Sequence, residues 1–120
     1  MHVRLWINGS QACEAFQRHP QPFIGTDLEI LLRGLKAETL ILVGGLTNVC
    51  VHYTFADAHQ GDYHARVVED CVGGSDVAAH DAALIAMEYL QHGACRSAAE
   101  MIEAFRAFAA SRPATLAASA

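Results

Sequence analysis

The sequence predicts an α/β protein of three layers, α/β/α, in which a parallel sheet lies between helices. The apolar run ETLILV at 38–43 is typical of a strand buried on both faces, and HARVVED at 64–70 indicates a second strand. Segments with helical periodicity precede, separate and follow these strands, so the connection between them favours a parallel crossover. Residues 1–22 carry no sustained period, so no strand or helix is predicted there, and the predicted sheet lacks N-terminal strands.

The first helix is expected to begin at a capping box. Thr26 and Glu29 stand three residues apart, the spacing at which each side chain satisfies a backbone N–H at the helix start. Leucines then follow with the i, i+3, i+4, i+7 spacing of one helix face, at Leu28, Leu31, Leu32 and Leu35. After the strand at 38–43, the pair Gly44-Gly45 ends the apolar run, and a second helix is predicted from about Asn48 to Gln60.

The C-terminal half predicts two more helices and one short strand. Ser75 or Asp76 can cap a helix over 77–91, which is apolar around much of its circumference and should be well buried. The residues ACR at 94–96 are expected to form a short third strand. Ser97 and Glu100 form another capping box, and the helix after it carries an apolar stripe of Met101, Ile102, Phe105 and Phe108.

Composition and charge exclude several classes of protein. The chain has 120 residues, 52% of them hydrophobic and 18% charged, as is typical of a globular domain. A net charge of −5 and scattered basic residues argue against nucleic acid or a membrane surface as partner. No apolar run approaches the ~18 residues of a membrane span, and the N-terminus does not resemble a signal peptide. Four widely spaced cysteines without a C-x-x-C motif indicate reduced thiols in a cytoplasmic protein.

Cys50 is the candidate catalytic residue. It follows the carboxyl end of the first strand, where ligands bind in parallel α/β sheets, and it lies in the first turn of the predicted helix. The partial positive charge of a helix start favours thiolate over thiol, and its N–H groups can hold an oxyanion. Gly44-Gly45 would let a ligand approach closely. From position alone, the alternative is that Cys50 is a small buried hydrophobic residue, as most cysteines without a disulfide are.

The segment GGLTNVCVHYTFADAHQGDYHARVVEDCVGGS resembles the isochorismatase-like cysteine hydrolases, which include nicotinamidases, N-carbamoylsarcosine amidases, ureidoacrylate amidohydrolases and isochorismatase. The resemblance extends over about residues 17–108 and implies a Rossmann-like fold of the isochorismatase type. The matching positions are Gly44, Thr47, Cys50-Val51, Thr54, Asp57-Ala58, Gly61, Tyr63 and Asp70. We therefore expect an irregular segment at 1–22, the C-terminal part of an isochorismatase-like hydrolase domain at 23–109, and a flexible tail at 110–120.

The resemblance implies a role for each residue of the site. Cys50 would attack the carbonyl carbon of a small amide and form a thioester-like intermediate. A cis peptide between Gly45 and Leu46 would direct the N–H groups of Leu46 and Cys50 at the oxyanion. The candidate residues of the substrate pocket are Phe23, Thr47 and Asn48, with core packing as the alternative for Phe23. We expect no metal and no other cofactor.

The catalytic triad of these hydrolases is Asp, Lys and Cys, and two of its members are not found. No first strand with a D-x-Q-like motif occurs, and the Lys position falls on Gln17 or, with a shift of one residue, on Arg18. We therefore expect negligible amidase activity from the isolated chain. The alternative to an enzyme is a non-catalytic fragment or subunit-interface module that retains the fold. A strand at 39–43 without its neighbour would present an unpaired apolar edge, which favours a homo-oligomer.

Overall fold

The computed structural model describes residues 4–7 and 27–111. Within these ranges the strands form one sheet in the order β1-β2-β3-β4, and every neighbouring pair is parallel. The strands are β1 (Arg4–Ile7), β2 (Thr39–Gly45), β3 (His64–Gly73) and β4 (Cys95–Arg96). The helices are α1 (Asp27–Gly34), α2 (His52–Gln60), α3 (Val77–Leu90) and α4 (Ala98–Ser111), and a π-helical turn (Thr47–Val51) joins β2 to α2.

Helices cover both faces of the sheet, so the three-layer prediction is confirmed. On one face, α1, α2 and α3 pack on β2 and β3 around the fully buried side chains of Leu32, Phe55 and Met87. Alternate residues of the strands point the other way, where Ile41 and Arg66 face a groove that α4 lines with Met101 and Phe105. Residues two apart along a strand share a face, so the apolar run at 38–43 provides side chains that pack against the helices on both faces of the sheet.

A strand is present where the sequence predicted none. β1 pairs with β2, with Arg4 opposite Thr39 and Ile7 opposite Leu42. β2 is therefore an internal strand, and the expected unpaired edge at 39–43 is wrong. The sequence did not indicate β1 for two reasons. Strand pairing uses backbone N–H and C=O groups, which every residue except proline provides in full. In addition, four residues are too few to show a hydrophobic period. Most of the segment 1–22, the residue Thr26 and the tail after 111 lie outside the described residues, and the domain boundaries stay a prediction.

The predicted helices and strands are otherwise present within a few residues of their expected bounds. The capping box at Ser97 forms as expected: the Ser97 N–H donates to Glu100 Oε2 (2.8 Å), and the Glu100 N–H donates to Ser97 Oγ (3.2 Å). Asp76 caps α3 by accepting a hydrogen bond from the Ala79 N–H (2.9 Å). In the described part of the chain, no helix is both long enough and apolar enough to cross a membrane.

The expectation that α3 is well buried is wrong. Only Ala83 and Met87 of α3 are buried, whereas Val77, Ile85 and Tyr89 are 77%, 71% and 90% exposed. A helix on one face of a sheet buries only the stripe that faces the sheet. Burial of its other sides needs a further layer, and no described element covers them.

Candidate active site

The nucleophile turn, defined here as the π-helical turn Thr47–Val51 that contains Cys50, lies at the carboxyl edge of the sheet. It follows β2, whose register with β3 shifts between Leu42 and Gly44. Gly44 has a φ of 101°, a conformation that glycine adopts without steric conflict, and β2 ends one residue later, at Gly45. Since β2 has a partner on each side, the turn lies between neighbouring strand ends, which is where α/β sheets bind ligands.

The backbone of this turn is wider than that of an α-helix. The peptide bond between Gly45 and Leu46 is cis, and the Val51 N–H donates to the Leu46 carbonyl across five residues (3.1 Å). The sequence predicted an α-helix from about Asn48, but α2 begins only at His52. A five-residue π-helical turn has too few positions to produce a recognisable period. Such turns recur at functional sites, where they displace a side chain from the regular helical path.

Cys50 is 7% exposed, and its surroundings are largely apolar. Val51 follows it in the core, and Phe55 is fully buried one turn further along α2. Thr54, four residues after Cys50, is 1% exposed, and its hydroxyl has no hydrogen-bond partner among the described residues. The Cys50 side chain is therefore largely shielded from solvent beside the hydrophobic core that Val51 and Phe55 join.

Two side chains of the nucleophile turn are bonded to the segment around the start of α3. Thr47 is fully buried, and its hydroxyl lies 2.9 Å from Nδ1 of His80. Asn48 makes two bonds to Ser75: its Nδ2 donates to the Ser75 hydroxyl (2.9 Å), and its Oδ1 accepts from the Ser75 N–H (3.0 Å). The sequence did not indicate His80 or Ser75 as partners, because contacts across 33 and 27 residues leave no local pattern.

The structure brings only part of the predicted site together. Leu46, Thr47, Asn48 and Cys50 lie in or beside the turn, with Leu46 42% exposed. Phe23, and the positions Gln17 and Arg18, lie outside the described residues. The roles expected for all of these residues stay predictions. In residues 27–111, no group of three or more His, Cys, Asp and Glu side chains has an arrangement that could hold a metal ion.

The other two described cysteines lie in different surroundings. Cys71 is exposed within β3, not after that strand as expected, since β3 continues to Gly73. Cys95 is half-buried in β4, and its thiol approaches the Leu84 carbonyl (3.5 Å). Burial, with smaller contributions from Glu88 and Glu69, raises the pKa of Cys95 to about 11. Burial therefore keeps the Cys95 thiol protonated well above neutral pH.

A family model described as the isochorismatase domain matches residues 10–104. The chain is 34% identical over 67 residues to a secreted isochorismatase effector of Verticillium dahliae. The matched segment covers 56% of this chain and 35% of that protein. The chain is also 28% identical over 81 residues to an uncharacterized isochorismatase family protein of Bacillus subtilis. That matched segment covers 68% of this chain and 45% of the Bacillus protein.

Solved structures match the same part of the chain. An isochorismatase-like hydrolase from Alkaliphilus metalliredigens has a TM-score of 0.65 and 26% identity, covering 70% of this chain and 46% of that one. A pyrazinamidase/nicotinamidase from Streptococcus mutans has a TM-score of 0.60 and 28% identity, covering 69% of this chain and 53% of that one. The chain therefore spans about half, or less, of the length of these relatives.

Proposed function

Because the chain belongs to the isochorismatase family, whose structurally similar members include nicotinamidases, we propose that its cysteine turn serves the hydrolysis of a small C–N amide, with Cys50 as the nucleophile. One observation carries the proposal. Cys50 lies in a turn at the carboxyl end of an internal parallel strand, inside the segment that the family model matches. A nucleophile needs a carbonyl carbon within reach and N–H groups near the developing charge, and a position at a strand's carboxyl end and a helix start supports both.

The reaction would run in two half-reactions. The Cys50 sulfur forms a bond to the carbonyl carbon of the amide, and the N–H groups of Leu46 and Cys50 stabilise the negative oxygen of the tetrahedral species. The C–N bond then breaks, the amine or ammonia leaves with a proton, and a thioester remains on Cys50. Water attacks the thioester and releases the carboxylic acid and the thiol, so the reaction balances without an oxidant or a reductant.

Proton transfer is the step for which the chain provides the fewest candidate residues. The resemblance assigns this step to an Asp and a Lys, whose Lys position carries Gln17 or Arg18. Lys36 is the chain's one lysine, and it is exposed with a φ of 53° ahead of the amino end of β2, whereas Cys50 follows the carboxyl end. Seven strand residues at about 3.3 Å each separate these ends by roughly 20 Å. This observation supports the second candidate function, a module that retains the fold and the cysteine turn without completing the triad.

The two half-reactions give an experiment that separates the candidates. An activated ester, p-nitrophenyl acetate, is mixed with the chain, and the acetylated residue is identified by peptide mass mapping. For an enzyme we expect acetyl-Cys50 to form and decay. Cys50→Ala should remove the adduct, whereas the matched control Cys71→Ala should leave it unchanged.

A steady-state assay then tests whether the isolated chain completes both half-reactions. We expect steady-state hydrolysis of nicotinamide by the isolated chain to be negligible, because no lysine stands at the position that the family uses for proton transfer. Sustained turnover that disappears in Cys50→Ala would contradict this expectation and would favour the complete enzyme. Failure of Cys50 to acetylate, in a protein that is folded by circular dichroism, would contradict the proposed nucleophile itself.

A further inference from the structure

We propose that the start of α3 positions the nucleophile turn, and that His80 is the positioning residue through its bond to Thr47. The inference rests on the proposed role of Cys50 and concerns how that thiol is held. Thr47 and Asn48 are the first residues of the nucleophile turn, and both side chains are bonded to the segment from Ser75 to His80. The turn is thus fixed at its beginning by a helix that is distant along the chain.

The bond between Thr47 and His80 is the more buried of the two connections. Thr47 is fully buried, so its hydroxyl has no contact with solvent and depends on protein partners such as His80. His80 is half-buried and presents Nδ1 to that hydroxyl at 2.9 Å. A buried hydroxyl that loses its partner favours rearrangements that restore one, and Thr47 belongs to the turn that carries Cys50, so we expect the turn to become less rigid.

The connection between Asn48 and Ser75 fixes orientation. The Asn48 amide uses its donor and its acceptor on the same residue, at 2.9 and 3.0 Å, so a rotation of the amide would break both bonds. Ser75 stands beside Asp76, which caps α3 through the Ala79 N–H (2.9 Å). The position of Asn48 is thereby tied to the first turn of α3, where His80 also lies.

The loop before α3 and the nucleophile turn pack closely against each other at Gly74. A Cβ atom at Gly74 would lie 2.7 Å from Cβ of His80 and 3.2 Å from Oδ1 of Asn48. Any side chain at this position would have to displace the His80 backbone or the Asn48 amide. The glycine thus allows the loop before α3 to lie against the nucleophile turn and brings both bonds within reach.

A matched pair of substitutions at His80 separates hydrogen bonding from volume. In His80→Asn the carboxamide branches from Cγ, as Nδ1 does in histidine, so it can reach the Thr47 hydroxyl. In His80→Leu the branch is apolar. The readouts are hydrogen–deuterium exchange of the amides at 47–51 and the alkylation rate of Cys50 by iodoacetamide, divided by that of the exposed Cys71 in the same molecule.

We expect His80→Leu to accelerate amide exchange in the turn by about tenfold, as for the loss of one buried hydrogen bond, and to change the Cys50 to Cys71 alkylation ratio. His80→Asn should return both values to within about twofold of wild type, and His92→Leu, at a fully exposed histidine, should change neither. Wild-type exchange and alkylation in a folded His80→Leu protein would overturn the inference. So would equal effects of the Asn and Leu variants.

A second variant keeps the test decisive if His80→Leu does not fold. Ser75→Ala removes a hydroxyl at an exposed residue and deletes one of the two Asn48 bonds, and we expect it to accelerate exchange at 47–51 without unfolding the chain. An unchanged exchange rate in Ser75→Ala would then overturn the inference. Neither readout depends on the acetylation of Cys50 by p-nitrophenyl acetate. A folded chain whose Cys50 is not acetylated but which responds to these variants would refute the proposed nucleophile alone. Acetylation of Cys50 in a chain that does not respond to these variants would refute only the positioning role.

Discussion

At the scale of single residues, burial and neighbouring charge distinguish the described thiols. Cys95 is half-buried beside Glu88 and Glu69, and both burial and these carboxylates disfavour its thiolate. Cys71 is exposed, so reagents reach it freely. Cys50 is 7% exposed in the nucleophile turn, so access as well as nucleophilicity limits its reaction. A comparison of absolute rates would therefore confuse exposure with thiolate character.

The pH dependence of alkylation avoids this confusion, because slow access lowers a rate without changing its midpoint. We expect the rate for Cys50 to reach half of its plateau below pH ~8.5, because the N–H groups at the start of a helix should favour thiolate more than the burial of Cys50 disfavours it. The rate for Cys95 should still be rising near pH 11, where its raised pKa lies. Peptide mapping after timed alkylation would measure both profiles. A midpoint for Cys50 at or above pH ~8.5 in the folded protein would contradict the proposed nucleophile turn.

At the scale of elements, the turn between α3 and β4 depends on one carboxylate. Glu88 accepts hydrogen bonds from the N–H groups of Cys95 (2.9 Å) and Gly93 (2.6 Å). These backbone bonds, that of Cys95 first, hold the pKa of Glu88 below its usual value. Gly93 has a φ of 79°, so the turn also uses a conformation that favours glycine. The carboxylate form of Glu88 therefore stabilises the fold.

This contact predicts a loss of stability in acid. A carboxyl whose pKa is lowered by folding contributes stability above its unfolded pKa, and the contribution disappears as pH falls through the folded pKa. We expect Glu88→Gln to lower the free energy of unfolding by about 1 kcal/mol at pH 7, allowing for partial exposure. The difference from wild type should shrink below pH ~4. Urea unfolding at both pH values measures it, with Glu103→Gln on the exposed side of α4 as control. A difference that is the same at pH 7 and pH 3 would contradict this account.

At the scale of the whole molecule, α3 carries the largest group of exposed apolar side chains among the described residues. Ile85 and Tyr89 stand one turn apart on α3 and are 71% and 90% exposed. The edge of β2, which was the expected basis for self-association, is paired with β1. The homo-oligomer stays a prediction, and the exposed side of α3 gives it a different physical basis.

The oligomer prediction can be tested by sedimentation velocity at micromolar concentration. We expect the wild-type chain to sediment as a dimer or larger species, and the double variant Ile85→Glu, Tyr89→Glu to sediment as a monomer, because charged groups oppose burial of that surface. Ile102→Glu, at a half-exposed position of α4, is the matched control and should leave the oligomer unchanged. A wild-type monomer, or association that the double variant does not alter, would exclude α3 as the interface.

Local patterns in the sequence determined the elements and their order. The period of an amphipathic helix, the apolar run of β2 and the Ser97 capping box each depend on neighbours within a few residues, and each appears in the structure close to its predicted position. The parallel sheet followed from the length of the connection, since strands joined through a helix pair in parallel. The cysteine motif at Cys50 likewise identified the family without any coordinates.

Tertiary structure alone decided what each element contacts. The pairing of β1 with β2 depends on backbone groups that carry no sequence pattern. The exposure of α3 depends on whether another layer covers it, and the amino-acid composition of α3 does not determine this. The bonds from Thr47 to His80 and from Asn48 to Ser75 join residues that are adjacent only after folding. The sequence alone therefore determined where the cysteine turn lies along the chain, and folding decided which side chains hold it, because a contact between distant segments exists only in three dimensions.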